Sequence, residues 1–179
     1  MNRLLDYLET NGILLCNANP YLPALEDVGC VWQDVAELID NHLLFYSKAF
    51  QKRTTYLSPE VYYLLKAVKL QKPLTPAAET LYGLLEQVPM ADTAFLKRIS
   101  ALPAKEYSQS FDFLLQNLYI TVVKNGTTLN ENWSTFYYGT AKEWEKNCTN
   151  IYSCADPSTR LWEILSHTMT EKQFHTFVK

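Results

Sequence analysis

The stretch Tyr107-Ser-Gln-Ser-Phe111-Asp-Phe-Leu114-Leu115-Gln-Asn-Leu118-Tyr119-Ile120-Thr121-Val122-Val123-Lys124-Asn125-Gly126 decides the fold, because its hydrophobic period changes in the middle. Tyr107, Phe111, Leu114, Leu115 and Leu118 recur at helical spacing, whereas residues 119–123 form a β-branched and aromatic run. Asn125-Gly126 tolerates positive φ and predicts a two-residue type I′ turn, with the returning strand from Thr127 to about Gly139. Upstream, Leu81, Leu84, Leu85 and Val88 follow i, i+3, i+4, i+7, and Ala94, Phe95 and Ile99 mark a shorter helix. Three helical stripes followed by a hairpin are the order of a winged helix, a helix–turn–helix with a β wing. The expected class is α+β, mostly helical.

Around this unit, residues 1–72 predict an N-terminal helix and hairpin region packed on the core. Residues 73–139 are the winged unit, and residues 140–179 supply C-terminal helices that complete one compact body. A helix over residues 3–10 is stopped by Asn11-Gly12, residues 13–16 are extended, and a second helix near residues 32–41 buries Val35, Leu38 and Ile39. The β-prone runs at 43–46 and 54–57 flank Gln51-Lys52-Arg53, which predicts a hairpin with a basic tip. Ser58-Pro59, Thr75-Pro76 and Asp156-Pro157 each combine a capping side chain with a proline suited to a first helical turn. Thr140 with Glu143, and Thr170 with Gln173, have capping-box spacing. No internal repeat stands out in the residues.

Among 179 residues, 47% are hydrophobic and 13% aromatic, which argues for a folded globule over disorder. The start is acidic and lacks an apolar core, and no run is long enough to span a membrane, so a cytoplasmic location with no membrane partner is expected. Cys16, Cys30, Cys148 and Cys154 form no C-x-x-C pair. Cys148, Cys154, His167 and His175 fall in the order of a zinc site, but their spacings are too long, so neither metal nor cofactor is expected. Phosphate-loop, dinucleotide-binding, nucleophile-elbow and H-E-x-x-H motifs are all missing, and no catalytic residue is assigned.

Nucleic acid is the expected partner despite a net charge of −3, because the cations are unevenly distributed. Between His42 and Lys72 six cations face the single anion Glu60. Lys48, Lys52 and Arg53, with Tyr62, Lys66 and Lys69 on the outer face of the helix after Pro59, mix cations with aromatics, as a strand-tracking surface does. On the presumed recognition helix, Lys105 could meet a phosphate or guanine and Gln109 an adenine. Lys124 would sit on the wing, set against Glu131. A surface of Trp133, Phe136, Tyr137 and Tyr138 would instead suit a protein-interaction module, and homo-oligomerisation is left open.

Residues 50–60, the run Phe113-Leu-Leu-Gln-Asn-Leu-Tyr-Ile120 and above all Asn130-Glu-Asn-Trp-Ser-Thr-Phe136 resemble AlkZ-related winged-helix proteins of bacteria. The resemblance spans most of the chain, including Glu171-Lys-Gln-Phe174. AlkZ-type enzymes are DNA glycosylases that use tandem winged helices and a Gln-x-Gln motif. Here the glutamines stand at 33, 51, 71, 87, 109, 116 and 173, so no two are separated by a single residue. The resemblance therefore implies DNA binding without excision, with a glycosylase of diverged site as the rival, and it carries over no active-site position.

Overall fold

A computed structural model describes residues 2–130 and 133–179, with the side chains of residues 128, 130, 133 and 134 left aside. Among the described residues the chain is α+β, with nine α-helices and two small antiparallel sheets. No described helix is long and apolar enough to cross a membrane.

Local chemistry sets the first element. The Asn2 carboxamide accepts from the Leu4 and Leu5 amides to start α1 (Arg3–Asn11), and Gly12, at φ 76, ends it. Strand β1 (Ile13–Leu15), a 3-10 turn (Leu25–Val28) and α2 (Trp32–Asp40) follow, then the hairpin β2 (Phe45–Phe50) and β3 (Arg53–Leu57). The sheet order is β1-β3-β2. Ser58 caps α3 (Pro59–Val68) and Thr75 caps α4 (Pro76–Glu86), each with proline in the first turn.

The next segment repeats that plan: α4, a single bridging residue Ala91, α5 (Thr93–Ser100), α6 (Ala104–Gln116) and the hairpin β4 (Ile120–Asn130) and β5 (Trp133–Thr140). Ala91 pairs antiparallel with Tyr138 on β5, just as β1 pairs with β3, so the short strand joins the second strand of each hairpin. The repeat escapes the sequence because its equivalent of β1 is one residue long. Three further helices, α7 (Ala141–Asn147), α8 (Pro157–Leu165) and α9 (Glu171–Phe177), follow.

The two halves pack reciprocally, with α2 against β4 and α6 against β2. At the junction the buried Thr121 hydroxyl accepts from the Tyr46 amide (2.9 Å) and donates to the Tyr46 carbonyl (2.8 Å). Asp40 on α2 accepts from the Asn125 amide of β4 at 2.8 Å, and Lys48 on β2 reaches Asp112 on α6 at 2.7 Å. One core joins Leu4, Leu8, Val35 and Leu38 to Leu81, Leu114, Ile120 and Val122. A second places Phe45, Leu57 and Leu65 against Trp144, Leu161 and Leu165.

The hairpin differs from its expected form. Asn125 and Gly126 lie within β4, where Asn125 pairs with Phe136, so residues 127–130 continue the outgoing strand. Glu131, expected to oppose Lys124, lies outside the described residues. Gly126 serves packing: a Cβ there would collide with the Thr135 hydroxyl, which accepts from the Thr127 amide at 2.9 Å. The left-handed two-residue loop occurs instead at Gln51 and Lys52, with φ 49 and 59, between β2 and β3. On α5 the buried residue is Leu96, while Ala94 and Ile99 face outward, because the Asp92 cap and the Ala91 bridge fix the helix's phase.

Two substitutions test these joints. Gly12→Ala should destabilise by roughly 2–4 kcal/mol through left-handed strain and collision with Val61 and Ile164, read as a lowered denaturant midpoint at unchanged slope. Thr121→Val preserves shape but strands the buried Tyr46 amide and carbonyl, so a loss of about 1–3 kcal/mol is expected, largely restored in Thr121→Ser.

Candidate functional site

Helix α3 places Tyr62 and Lys66 on one face by their spacing of four residues, and Lys69 follows as the extended residue that caps its C-terminus. Tyr62 is buried, correcting its expected outward position. Its ring stacks on Phe45 at 4.0 Å and meets Trp144 edge-on at 5.1 Å. Its hydroxyl donates to Glu145 Oε1 at 2.7 Å, and Lys66 Nζ reaches the same oxygen at 2.7 Å. Burial, then the bond to Glu145, pushes the Tyr62 phenol far above its ordinary range, so it remains a neutral donor. Tyr62 therefore cannot stack on a base; it fixes the carboxylate of α7 beneath the two lysines.

Lys69 Nζ donates to the carbonyl oxygens of Phe177 (2.9 Å) and Lys179 (2.6 Å). Burial, assisted by nearby Lys72, lowers its pKa from the ordinary lysine value. From the other side Gln71 donates to the Asn117 carbonyl at 3.0 Å, holding the α3–α4 connection against the end of α6. Tyr119 donates to the Lys72 carbonyl at 2.5 Å and meets Tyr82 edge-on at 5.5 Å.

These contacts enclose a cleft of about 480 Å³, lined by Lys66, Lys69 and Lys142, by Glu145, and by Tyr82 and Tyr119 among others. Three lysines against one glutamate, itself held by Lys66, leave the cleft cationic. Tyr82 and Tyr119 are half-buried ring walls, and Lys142 is exposed at the first turn of α7. Such a site can hold an anion and offer a ring face beside it. Glu145 is tied to a phenol and an ammonium, which suits a fixed counterion rather than a base poised over a substrate.

The other expected contacts do not join this cleft. Lys48 is spent on Asp112, and Arg53 holds its guanidinium 5.2 Å above the Tyr21 ring at the β2–β3 tip, next to exposed Lys52. Lys105 and Gln109 are exposed in the first half of α6, and Lys124 is exposed on β4. The cations thus form no single surface beside a wing: each follows its own element, and the folded halves pair some with carboxylates. Sequence reasoning missed Tyr82, Tyr119, Gln71 and Lys142, which reach the cleft from separate elements. Only the aromatic character of residues 119–123 hinted at one of them.

An exposed aromatic surface on β5 is also absent among the described residues. Tyr138 is buried, Tyr137 is half-buried, and so is Phe136, its ring 5.3 Å from Trp32 and 5.5 Å from Tyr46, while the Trp133 side chain lies outside the described residues. The junction between the halves consumes these rings. Among the described residues no group of three or more His, Cys, Asp or Glu is arranged to hold a metal ion.

Comparisons with protein-family models, with curated proteins and with solved structures each find no match for this chain.

Proposed function

We propose that the chain is a DNA-binding protein without catalytic activity of its own, built from two packed winged-helix units of AlkZ-related plan. Its site is the lysine and tyrosine cleft between α3, α4 and α7, and its ligand there is a single DNA strand. The observation carrying this reading is the convergence of Lys66, Lys69 and Lys142 beside Tyr82 and Tyr119. Lysines neutralise phosphates without regard to sequence, and a ring wall can take an unpaired base. The tandem plan is supported by the repeated order of helix, short strand, two helical pieces and hairpin, with the same strand pairing in both halves.

Insertion of a helix into a duplex groove is the weaker mode. Every charged residue of α2, namely Asp34, Glu37 and Asp40, is acidic, and its far end is bound to β4. Helix α6 carries Lys105 but also Glu106 and Asp112, and rests on β2. A strand laid in the cleft needs neither helix.

Titration of labelled single-stranded and duplex DNA at several salt concentrations tests the reading. Single strands should bind more tightly, and Lys66→Glu with Lys142→Glu should weaken binding roughly tenfold or more, flattening the logarithmic salt slope by about 0.7 per lost phosphate contact. Binding insensitive to salt would overturn the proposal. So would loss of affinity in Lys52→Glu/Arg53→Glu while the cleft variants bind normally, since that places the contact at the hairpin tip.

A further inference from the structure

A second cleft, of about 570 Å³, opens where the two halves meet and has the opposite chemistry. Its walls are the rings of Trp32, Tyr46, Tyr56, Phe136 and Tyr138. Among the described residues that line it, Asp92 alone carries a formal charge at neutral pH; the others include Asn17 and the threonines at 54, 93 and 135. Arg53, next in sequence to Thr54, directs its guanidinium to Tyr21 instead.

The rings meet at steep angles. Trp32 and Phe136 are inclined at 48°, Tyr46 and Tyr56 at 52°, Tyr46 and Phe136 at 59°, and Phe136 and Tyr138 at 86°. Their centroids lie 5.3 to 6.1 Å apart in these pairs. Inclined faces make a box rather than the parallel slot that sandwiches a flat ring. Burial pushes the Tyr46, Tyr56 and Tyr138 phenols upward, so these rings stay neutral and keep the negative faces that attract cations. Tyr56 is wholly buried, and its hydroxyl has no hydrogen-bond partner apart from the adjacent Cys16 thiol, a poor one. Asp92 caps α5 by accepting from the Phe95 amide at 2.8 Å with one oxygen, and a carboxylate has acceptor capacity beyond that bond. The α5 N-terminus offsets part of its charge, which leaves the ring faces as the larger attraction.

We infer that this cleft is a binding site for an alkylated ammonium group, held against the rings of Trp32, Tyr46 and Phe136 with Asp92 as its counterion. A methylated ammonium matches the site in both respects. It is too weakly hydrated to resist transfer into a ring-lined box, and it carries the charge that the lone carboxylate lacks. A phosphate-bearing ligand would meet no lining cation. The two clefts are therefore selective by sign.

The experiment is calorimetric titration of the intact chain with choline, with tetramethylammonium and with 3,3-dimethylbutanol, the uncharged carbon isostere of choline. Trp32 fluorescence provides a second readout. Both cations should bind and the isostere should bind at least tenfold more weakly. Asp92→Asn keeps the helix cap, since asparagine caps as well as aspartate, and should weaken choline binding about fivefold or more at unchanged thermal stability. Trp32→Leu should abolish the fluorescence response and most of the affinity. Equal binding of the isostere, full affinity in Asp92→Asn, or no binding of either cation would each overturn the assignment. DNA affinity should be the same in Asp92→Asn as in the parent chain, so this result is independent of the other cleft.

Discussion

One hydroxyl holds the two halves in register. Among the described residues no strand covers the outer edge of β2 or of β4, and two such edges facing each other would ordinarily merge into one sheet. Thr121 prevents this by giving both of its hydrogen-bonding functions to the backbone of Tyr46, accepting from the amide and donating to the carbonyl. The other half answers in kind, since Asp40 covers the Asn125 amide on β4. Each edge is thus satisfied by a side chain from the opposite unit, and the strands cross without pairing. The Tyr46 amide is buried, and left open it would cost more than the bond itself contributes, so the Thr121 plug fixes the arrangement more firmly than the exposed Asp40–Asn125 bond or the half-exposed Lys48–Asp112 pair.

This mode of docking determines which surfaces are available for function. Placing α2 on β4 and α6 on β2 buries one face of each helix, and it draws Phe136 and Tyr138 into the junction. The remaining openings lie to either side of the packed hairpins. One collects lysines because α3, the α3–α4 connection and α7 meet there; the other collects rings because β2, β3, β5 and the start of α2 meet there. Neither cleft belongs to a single half.

Elements whose signals are local were legible in the residues. Ser58-Pro59, Thr75-Pro76, Asp156-Pro157 and the Thr170–Gln173 box start helices as read, because a cap needs only the residues three positions away. The stripe from Tyr107 to Leu118 is buried for the same reason. Asn125-Gly126 misled because glycine has two uses: it permits positive φ, and it makes room for a neighbour. At Gly126 the neighbour is Thr135, from across the hairpin, and no local pattern contains it. The site divides in the same way. Spacing alone put Tyr62 and Lys66 together, but whether Tyr62 faced water depended on Phe45 and Trp144, far away in sequence.

Net charge is a poor guide here for a related reason. An excess of three negative charges is spread over the whole chain, while screening at physiological ionic strength confines each exposed charge to about 8 Å. The field at the first cleft is set by Lys66, Lys69 and Lys142, and at the second by Asp92 and the surrounding ring faces, so a strand or an ammonium bound there as proposed would meet local charge rather than the net charge. Glu145 limits the first attraction by holding Lys66, yet the same bond fixes the half-exposed ammonium at the wall of the cleft. The carboxylate thus trades some field strength for geometry, and the Tyr62 hydroxyl, anchored in the core, is what keeps the carboxylate in place.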